Sequence, residues 1–217
     1  MGHSRTFAVD NSDVVSDAQG RTAHRSLHEH SSRLLPKMYE VADGVWCLVG
    51  NGLSNQTFIR GPEGVIAIDT GESVEEMQSA LQQLRTVCQE PIVAVVYTHF
   101  HYVNGTTAIT ETEPVKAIWG HERIEHNLER SATEIAPAYT RGLIEQFGIY
   151  LPDDGPDGLV NVGLGLAYRM AHHAPSTPGH VTATQHFPGD SSVTVAGLEM
   201  EVTHAPSDAD DSVTLWF

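Results

Sequence analysis

Two histidines separated by one residue, His99 and His101, are the residues of this sequence that most directly suggest chemistry. They lie in the stretch YTHFHYVNG at 97–105, directly after the apolar run PIVAVV at 91–96, which predicts a buried strand. Side chains two apart on a strand share a face, so imidazoles just past its end can converge on one point. Neutral imidazole binds zinc and iron. The pair therefore predicts a metal site, and polar loop histidines are the alternative.

The spacing alone is weak evidence, because 13 histidines in 217 residues produce about one such pair by chance. His28-Glu29-His30 has the same spacing in a polar segment, where solvated side chains are expected. The position of the later pair distinguishes it, because α/β proteins place their sites at the carboxyl ends of buried strands.

Two further residues occupy comparable positions. Asp69 follows the apolar run GVIAI at 64–68 and could bind the cation or orient one of its ligands, although an aspartate before Gly71 is equally typical of a turn. His204 ends the strand-like run LEMEVTH at 198–204 and is a further candidate for the site.

The elements that must position these residues follow a strand, helix and strand order. Residues 1–35 show no sustained periodicity and are predicted to be an extended N-terminal arm, and residues 36–217 are predicted to form one α/β domain. A helix is expected at 73–87, and largely helical structure at 121–148, with a break at Pro137. Strands are expected at 38–41, 45–50, 57–60, 64–71, 91–98, 115–120, 181–187, 191–197, 198–204 and 212–217.

Charge and composition exclude several classes of partner. The formal net charge is −16, which disfavours nucleic acid and anionic membranes, and an anionic substrate would need local positive charge, which a metal ion could supply. No apolar stretch is long enough to span a membrane. The first twenty residues lack the apolar core of a secretory signal, and Cys47 and Cys88 give no disulfide framework. These features predict a cytoplasmic protein.

Longer segments carry a resemblance to a known family. DTGESVEE at 69–76 and AVVYTHFHYVNG at 94–105 resemble the metallo-β-lactamase superfamily, which has a strand-end DTG and a T-H-x-H-x-D-H signature. NLERSATEIAPAYTRGLIEQFGIYLPDDGPDG at 127–158 and GLEMEVTHAPSDADDSVTLWF at 197–217 resemble its alkylsulfatase-like branch. The likeness extends from about residue 25 to the end. It implies a metallo-β-lactamase-like αββα sandwich.

The sequence departs from the family signature at two positions. Val103 and Asn104 replace the aspartate and the last histidine; valine cannot bind a metal, and a neutral amide is a poor zinc ligand. The second metal position of the family is therefore lost or rebuilt from other residues, with Asn104 as a possible site residue. The remaining ligands of the family follow the strand that ends here as TLWF. The resemblance thus implies an amino-terminal half with at most two of the expected ligands, completed by a second polypeptide that supplies the others.

The resemblance also implies an activity. His99, His101 and ligands from a second chain would hold a divalent cation, with zinc expected and iron or manganese as alternatives, and a water bound to that cation would become the nucleophile. A split enzyme of this branch resembles a two-subunit aryl-ether hydrolase, so the expected reaction is O-demethylation of 2,4-dinitroanisole-type substrates to a nitrophenol and methanol. Hydrolysis of an alkyl or aryl sulfate ester at the same site is the alternative. In a different class of function, the chain is a non-catalytic structural subunit that stabilises a catalytic partner.

Overall fold

The segment before the main domain forms short elements instead of a fully extended arm. The computed structural model describes residues 11–217, so residues 1–10 of the predicted arm lie outside the described residues. Strands β1 (Val14–Ser16) and β2 (Thr22–His24) form an antiparallel hairpin, and helix α1 (Arg25–Ser31) follows. This segment is tied to the 155–163 loop, because the side chain of Asn161 donates to the carbonyl of Leu27 at 2.9 Å.

A seven-stranded sheet forms the centre of the domain, and its strands lie in the order in which they occur in the sequence. The first four strands pair antiparallel with their neighbours. The fourth strand also begins the parallel part of the sheet, which it forms with the last three strands. Strands β6 and β7 are buried along their whole length, as expected for parallel strands covered on both faces. The strands are β3 (Lys37–Ala42), β4 (Val45–Val49), β5 (Gln56–Gly61), β6 (Gly64–Ile68), β7 (Ile92–Val96), β8 (Ala117–Gly120) and β9 (Gln185–His186).

Four helices accompany this sheet: α2 (Val74–Leu84), α3 (Thr106–Thr110), α4 (Ile124–Ala132) and α5 (Ala136–Phe147). Helix α2 begins where the side chain of Ser73 accepts a hydrogen bond from the Glu76 backbone N–H at 3.1 Å. The predicted break at Pro137 is misplaced, since the helices separate at 133–135 and Pro137 lies in the first turn of α5. Proline is tolerated there, because its missing N–H would have had no partner within the helix. None of the helices within residues 11–217 has the length and apolar character needed to cross a membrane.

A second, three-stranded antiparallel sheet packs on the opposite face of the central sheet. It contains β10 (Ser191–Val195), β11 (Leu198–His204) and β12 (Val213–Trp216). Its inward side chains, among them Met200 and Val202, join Ile66 and Val96 in a buried cluster between the two sheets. The order of layers is therefore helices, sheet, sheet. The described residues place no helix on the outer face of the second sheet, so they form three layers of the predicted αββα sandwich.

The rim at the carboxyl ends of β6, β7 and β8 receives loops from both sheets. The backbone N–H of Val213, at the start of β12, donates to the carbonyl of Thr98 at 2.9 Å. This bond holds the loop between β11 and β12 directly above the end of β7. Residues separated by more than a hundred positions in the sequence therefore meet at one edge.

Candidate metal centre

The two histidines of the H-x-H pair lie side by side just beyond β7. His99 is in an extended conformation, and His101 lies in the short 3-10 turn Phe100–Tyr102 that follows it. The centres of the two imidazole rings are 5.0 Å apart, and the rings are inclined at 75°. Both side chains are partly buried, with 15% and 23% of their surfaces exposed. The turn thus directs two nitrogen donors to one side of the rim.

Asp208, in the loop between β11 and β12, joins this pair. Its Oδ2 lies 4.0 Å from Nε2 of His99 and 3.3 Å from Nδ1 of His101. One donor atom from each of the three residues lies within 4.8 Å of the other two, a spacing that could hold a metal ion. The sequence predicted at most two ligands from this chain, and the structure brings together a third candidate donor. Asp208 was missed because it lies in an acidic surface loop, SDADD, without a recognisable spacing to the histidines.

Asp69 orients His99 through Thr98. The carboxylate of Asp69 accepts the Thr98 backbone N–H at 2.8 Å and the Thr98 hydroxyl at 2.6 Å. The oxygen of that hydroxyl lies 2.8 Å from Nδ1 of His99. Because the hydroxyl proton is donated to Asp69, the oxygen accepts the Nδ1 proton, which leaves Nε2 of His99 with a free lone pair toward Asp208. The sequence left Asp69 as a metal ligand, an orienting residue or a turn former, and of these the orienting role fits the contacts with Thr98.

The protonation state of His101 suits metal binding. Burial is the main cause that lowers the pKa of His101, assisted by the neighbouring His99 and opposed by Asp208, so its imidazole is neutral at neutral pH. Burial raises the pKa of Asp69 to about 6, against the hydrogen bonds from Thr98 and the charge of His99. Neutral imidazoles and carboxylates are the protonation states in which these side chains bind metals. The donor set therefore fits a divalent cation.

Replacement of Thr98 by valine tests this orienting chain. The valine keeps the backbone N–H bond to Asp69 but removes the hydroxyl, so His99 loses the contact that fixes its tautomer and ring position. We expect zinc affinity to fall by about 10–100-fold, the usual effect of losing such an outer contact. Competition with a chromogenic chelator measures this affinity, and Thr98→Ser, which keeps the hydroxyl, should stay near wild type. Equal affinity in the valine variant would show that His99 is positioned by other contacts.

The two departures from the family signature have different surroundings. Val103 is fully buried in the core between the central sheet and the helices, so it contributes packing. Asn104 lines a cavity together with His101, and its backbone N–H donates to the carbonyl of Gly71 at 3.1 Å. Neither residue belongs to the group of three candidate donors in the described part of the chain.

His204 lies at the same rim but in a different group. Its ring centre is 4.5 Å from that of His121, at the end of β8. Nε2 of His204 and both carboxylate oxygens of Asp211 are buried and have no hydrogen-bond partner among the described residues. Burial raises the pKa of Asp211, and this effect is opposed first by the nearby Asn127 side chain and then by the charges of His99 and His121. His204 is thus not among the three candidate donors around His99 in the described part of the chain.

The earlier histidine pair, His28 and His30, differs from this site. Both lie on helix α1, where residues two apart point in different directions. Nδ1 of His28 is 3.8 Å from a carboxylate oxygen of Asp17, and Nε2 of His30 lies 2.8 Å from the carbonyl of Gly163. The expectation that both are simply solvated was wrong for His28, whose side chain is only 15% exposed.

Two cavities open beside His101. One has a volume of about 240 Å³ and is lined by residues that include Glu72, Tyr139, Tyr168 and Arg169. The other, of about 260 Å³, shares His101 and Tyr139 and is also lined by Asp208. The rings of Tyr139 and His101 are almost parallel, at 7°, with centres 6.4 Å apart. The rings of His101 and Tyr139 line both cavities and form an aromatic wall that a ligand in either cavity would contact.

Known proteins with sequences similar to this chain are named as alkylsulfatases. A linear primary-alkylsulfatase from Pseudomonas sp. is 35% identical over 164 residues, which cover 73% of this chain and 30% of the relative. A second linear primary-alkylsulfatase from Pseudomonas sp. is 26% identical over 212 residues, which cover 93% of this chain and 30% of the relative. The chain thus spans about 30% of the length of these relatives.

Solved structures agree on the fold. The stereoselective inverting sec-alkylsulfatase Pisa1 from Pseudomonas sp. superposes with a TM-score of 0.73 at 20% identity, over 94% of this chain and 36% of that one. Residues 49–191 match the metallo-beta-lactamase superfamily. The DTG turn, the strand-end histidine pair and the layered sheets are explained by this match. The chain belongs to the metallo-β-lactamase superfamily and is similar to its alkylsulfatase-like branch.

Proposed function

We propose that this chain forms the metal-binding part of a hydrolase that acts on a sulfate ester. The observation that carries the proposal is the convergence of His99, His101 and Asp208 at the mouth of the cavities beside His101. The names of the similar alkylsulfatases support the choice of bond. In this reaction water is added across the ester, and the products are an alcohol and sulfate.

The chain's own residues would hold and orient the cation. Nε2 of His99, Nδ1 of His101 and a carboxylate oxygen of Asp208 are the three donors, and catalytic zinc sites commonly have three protein ligands. Zinc is the proposed cation, with iron or manganese as alternatives that accept the same nitrogen and oxygen donors. When bound, the cation would supply Lewis-acid chemistry and lower the pKa of a coordinated water. Asp69 and Thr98 keep the His99 donor pointed at this position.

We also propose that a second polypeptide, or a further segment, completes the catalytic domain. The chain spans about 30% of its similar relatives, so the relatives contain much structure with no counterpart here. Strand β12 pairs only with β11 among the described residues, and Trp216 on it is 72% exposed. A free strand edge with an exposed tryptophan is a surface suited to pairing with another strand.

A second candidate is hydrolysis of an activated aryl methyl ether. The aromatic wall beside the donors favours it, because Tyr139 lies parallel to His101 and Tyr168 lines the same cavity. Aromatic side chains in this arrangement suit a flat substrate ring. Val103 occupies a position where the family signature has a metal ligand, so fewer donors remain for a second cation. A second cation would help to bind a sulfate group, whereas a neutral ether has no such group to bind. The products would be a nitrophenol and methanol.

The test compares the chain alone with the chain co-expressed with the product of the neighbouring reading frame. Bound metal is measured by mass spectrometry, and hydrolysis is followed with 4-nitrophenyl sulfate and with 2,4-dinitroanisole, both of which release a coloured phenolate. We expect about one tightly bound cation per assembled unit and sulfate release that stops with a chelator and returns with added zinc, iron or manganese.

Each outcome separates the alternatives. Release of dinitrophenolate and methanol without sulfate-ester hydrolysis would establish the ether reaction in place of the proposed one. A fully active assembly in which this chain holds no cation would show that it is a structural subunit. Absence of bound metal under all conditions would contradict the proposed centre.

A further inference from the structure

We infer that Arg169 binds the anionic group of the substrate in the cavity beside His101. This inference rests on the proposed function, since it assigns a substrate-binding residue at the same site. It also narrows the substrate class to compounds that carry a negatively charged oxyanion group next to an apolar or aromatic portion.

The overall charge of the chain makes a local cation necessary. With 12 Lys and Arg against 28 Asp and Glu, the protein carries a formal charge of −16. Its long-range field repels anions, so an anionic substrate must find positive charge inside the site. Arg169 lines the same cavity as His101 and Tyr139.

Arg169 differs from the other arginines near the site because it has no ion-pair partner in the described part of the chain. Arg130 is paired with Glu134 at 3.2 Å, and Arg123 is paired with Asp210 at 2.6 Å. No carboxylate within residues 11–217 comes as close as 4.0 Å to the Arg169 guanidinium nitrogens. Its guanidinium is therefore not held in a close ion pair, and Glu72 and Glu76 act on its charge only from a longer distance.

Aromatic packing holds this guanidinium at the cavity. Its central carbon lies 5.2 Å from the ring centre of Tyr168, within the range of a cation–π contact. The Tyr168 ring is in turn stacked on Phe147, with centres 5.2 Å apart, and Phe147 is buried. An arginine held on a packed aromatic pair loses less freedom when it binds a ligand than one on a free surface.

Two acidic residues, Glu72 and Glu76, line a small cavity together with Arg169 and compete with a ligand for its charge. Burial and the neighbouring Glu76 raise the pKa of Glu72 to about 7, and the charge of Arg169 opposes this rise. Burial likewise raises the pKa of Glu76 to about 7, while its hydrogen bonds with Gln56 and the Glu72 backbone oppose the rise. The two carboxyl groups are thus partly protonated at neutral pH, which lessens this competition without removing it. Asp208 lies in the adjoining cavity, where a bound cation would balance it.

The chemistry of the guanidinium defines the ligand. Its planar fork donates two parallel hydrogen bonds to two oxygens of one oxyanion, which suits sulfate esters and sulfonates. A neutral ether or amide of the same size offers no such charge. The site should therefore prefer the charged member of a pair of otherwise matched ligands.

Equilibrium binding without turnover tests the inference. The probes are toluene-4-sulfonate, whose carbon–sulfur bond is not a sulfate ester, and the neutral methyl 4-tolyl sulfone, which has no N–H that could ionise on the metal. Their binding is measured by calorimetry on the complete assembly loaded with zinc. We expect the sulfonate to bind about tenfold or more tightly than the sulfone. In Arg169→Gln this preference should disappear, and Arg169→Lys should keep part of it.

A matched control removes the same charge elsewhere. Arg141 is exposed on α5 and lines neither cavity beside His101, so Arg141→Gln should keep the wild-type preference. Thermal unfolding of all variants verifies that they are folded. A preference that survives in Arg169→Gln, or that is absent in the wild type, overturns the inference. Loss of the preference in Arg169→Gln with no hydrolysis by any assembly would refute the proposed function and leave the anion site in place.

Discussion

Alanine at His99 or His101 is expected to weaken cation binding about a hundredfold and to lower hydrolysis at least as far. The three candidate donors lie within 4.8 Å of one another, so losing one imidazole leaves two. A structural zinc site with four ligands has an apparent binding free energy of about 10–16 kcal/mol, so one ligand accounts for about 3 kcal/mol. That loss corresponds to about a hundredfold in affinity. Hydrolysis should fall at least as far, because the cation supplies the chemistry of the reaction.

Metal content and zinc titration of the purified variants measure this effect. His126→Ala is the matched control, because His126 is exposed on α4 and is not among the candidate donors. Asp208→Asn keeps the shape of the third donor but removes its charge, and we expect an intermediate loss of affinity. Wild-type metal content and activity in both histidine variants would mean that the imidazoles are not ligands.

Alanine at Gly105 is expected to destabilise the fold strongly. A Cβ at this position would lie 1.9 Å from the carbonyl oxygen of Thr70 and 2.5 Å from the Cβ of Met77. The first of these atoms is backbone and cannot move without shifting the turn after β6. We expect a loss of about 3 kcal/mol or more in the free energy of unfolding, at the upper end of overpacking effects.

Chemical denaturation measures this loss, and Gly142→Ala provides the control. Gly142 lies within helix α5, and a Cβ there meets no atom within 4 Å. Because alanine has a higher helix propensity than glycine, this variant should be more stable by up to about 1 kcal/mol. Similar stabilities for the two variants would show that the turn after β7 adapts more readily than its close contacts indicate.

The secondary structure and family could be predicted from the sequence because they depend on local patterns. Helix α2 is specified by the apolar residues Met77 and Leu84 on one face and by the cap at Ser73. The buried run at β7 and the DTG turn occur within short stretches whose meaning depends little on distant residues. The metallo-β-lactamase-like fold is confirmed by the family match and by the superposition on an alkylsulfatase structure. The break near Pro137 was misplaced, because proline is compatible both with the end of one helix and with the start of the next.

The candidate site could be predicted only in part. His99 and His101 were recognisable because both are on the same strand end, only two residues apart. Asp208 is more than a hundred residues away, in a loop with several acidic residues, and the sequence does not indicate which of them faces the rim. His204 has a strand-end position similar to that of His99, yet it packs against His121 instead.

The sequence by itself therefore determined most strands of the two larger sheets, the main helix, the superfamily and the two imidazoles, since each is encoded by contiguous residues. It missed the hairpin of β1 and β2, and the strand expected at 181–187 is reduced to β9. Only the tertiary structure decided that Asp208 lies beside those imidazoles, that Asp69 contacts Thr98, and that Arg169, which has no close ion pair within residues 11–217, lines the same cavity as His101. These contacts depend on how the second sheet packs on the first. There, the hydrogen bond from the backbone N–H of Val213 to the carbonyl of Thr98 holds the loop between β11 and β12 next to the end of β7. Such long-range packing is the sum of many weak contacts across the core, and no single stretch of sequence encodes it.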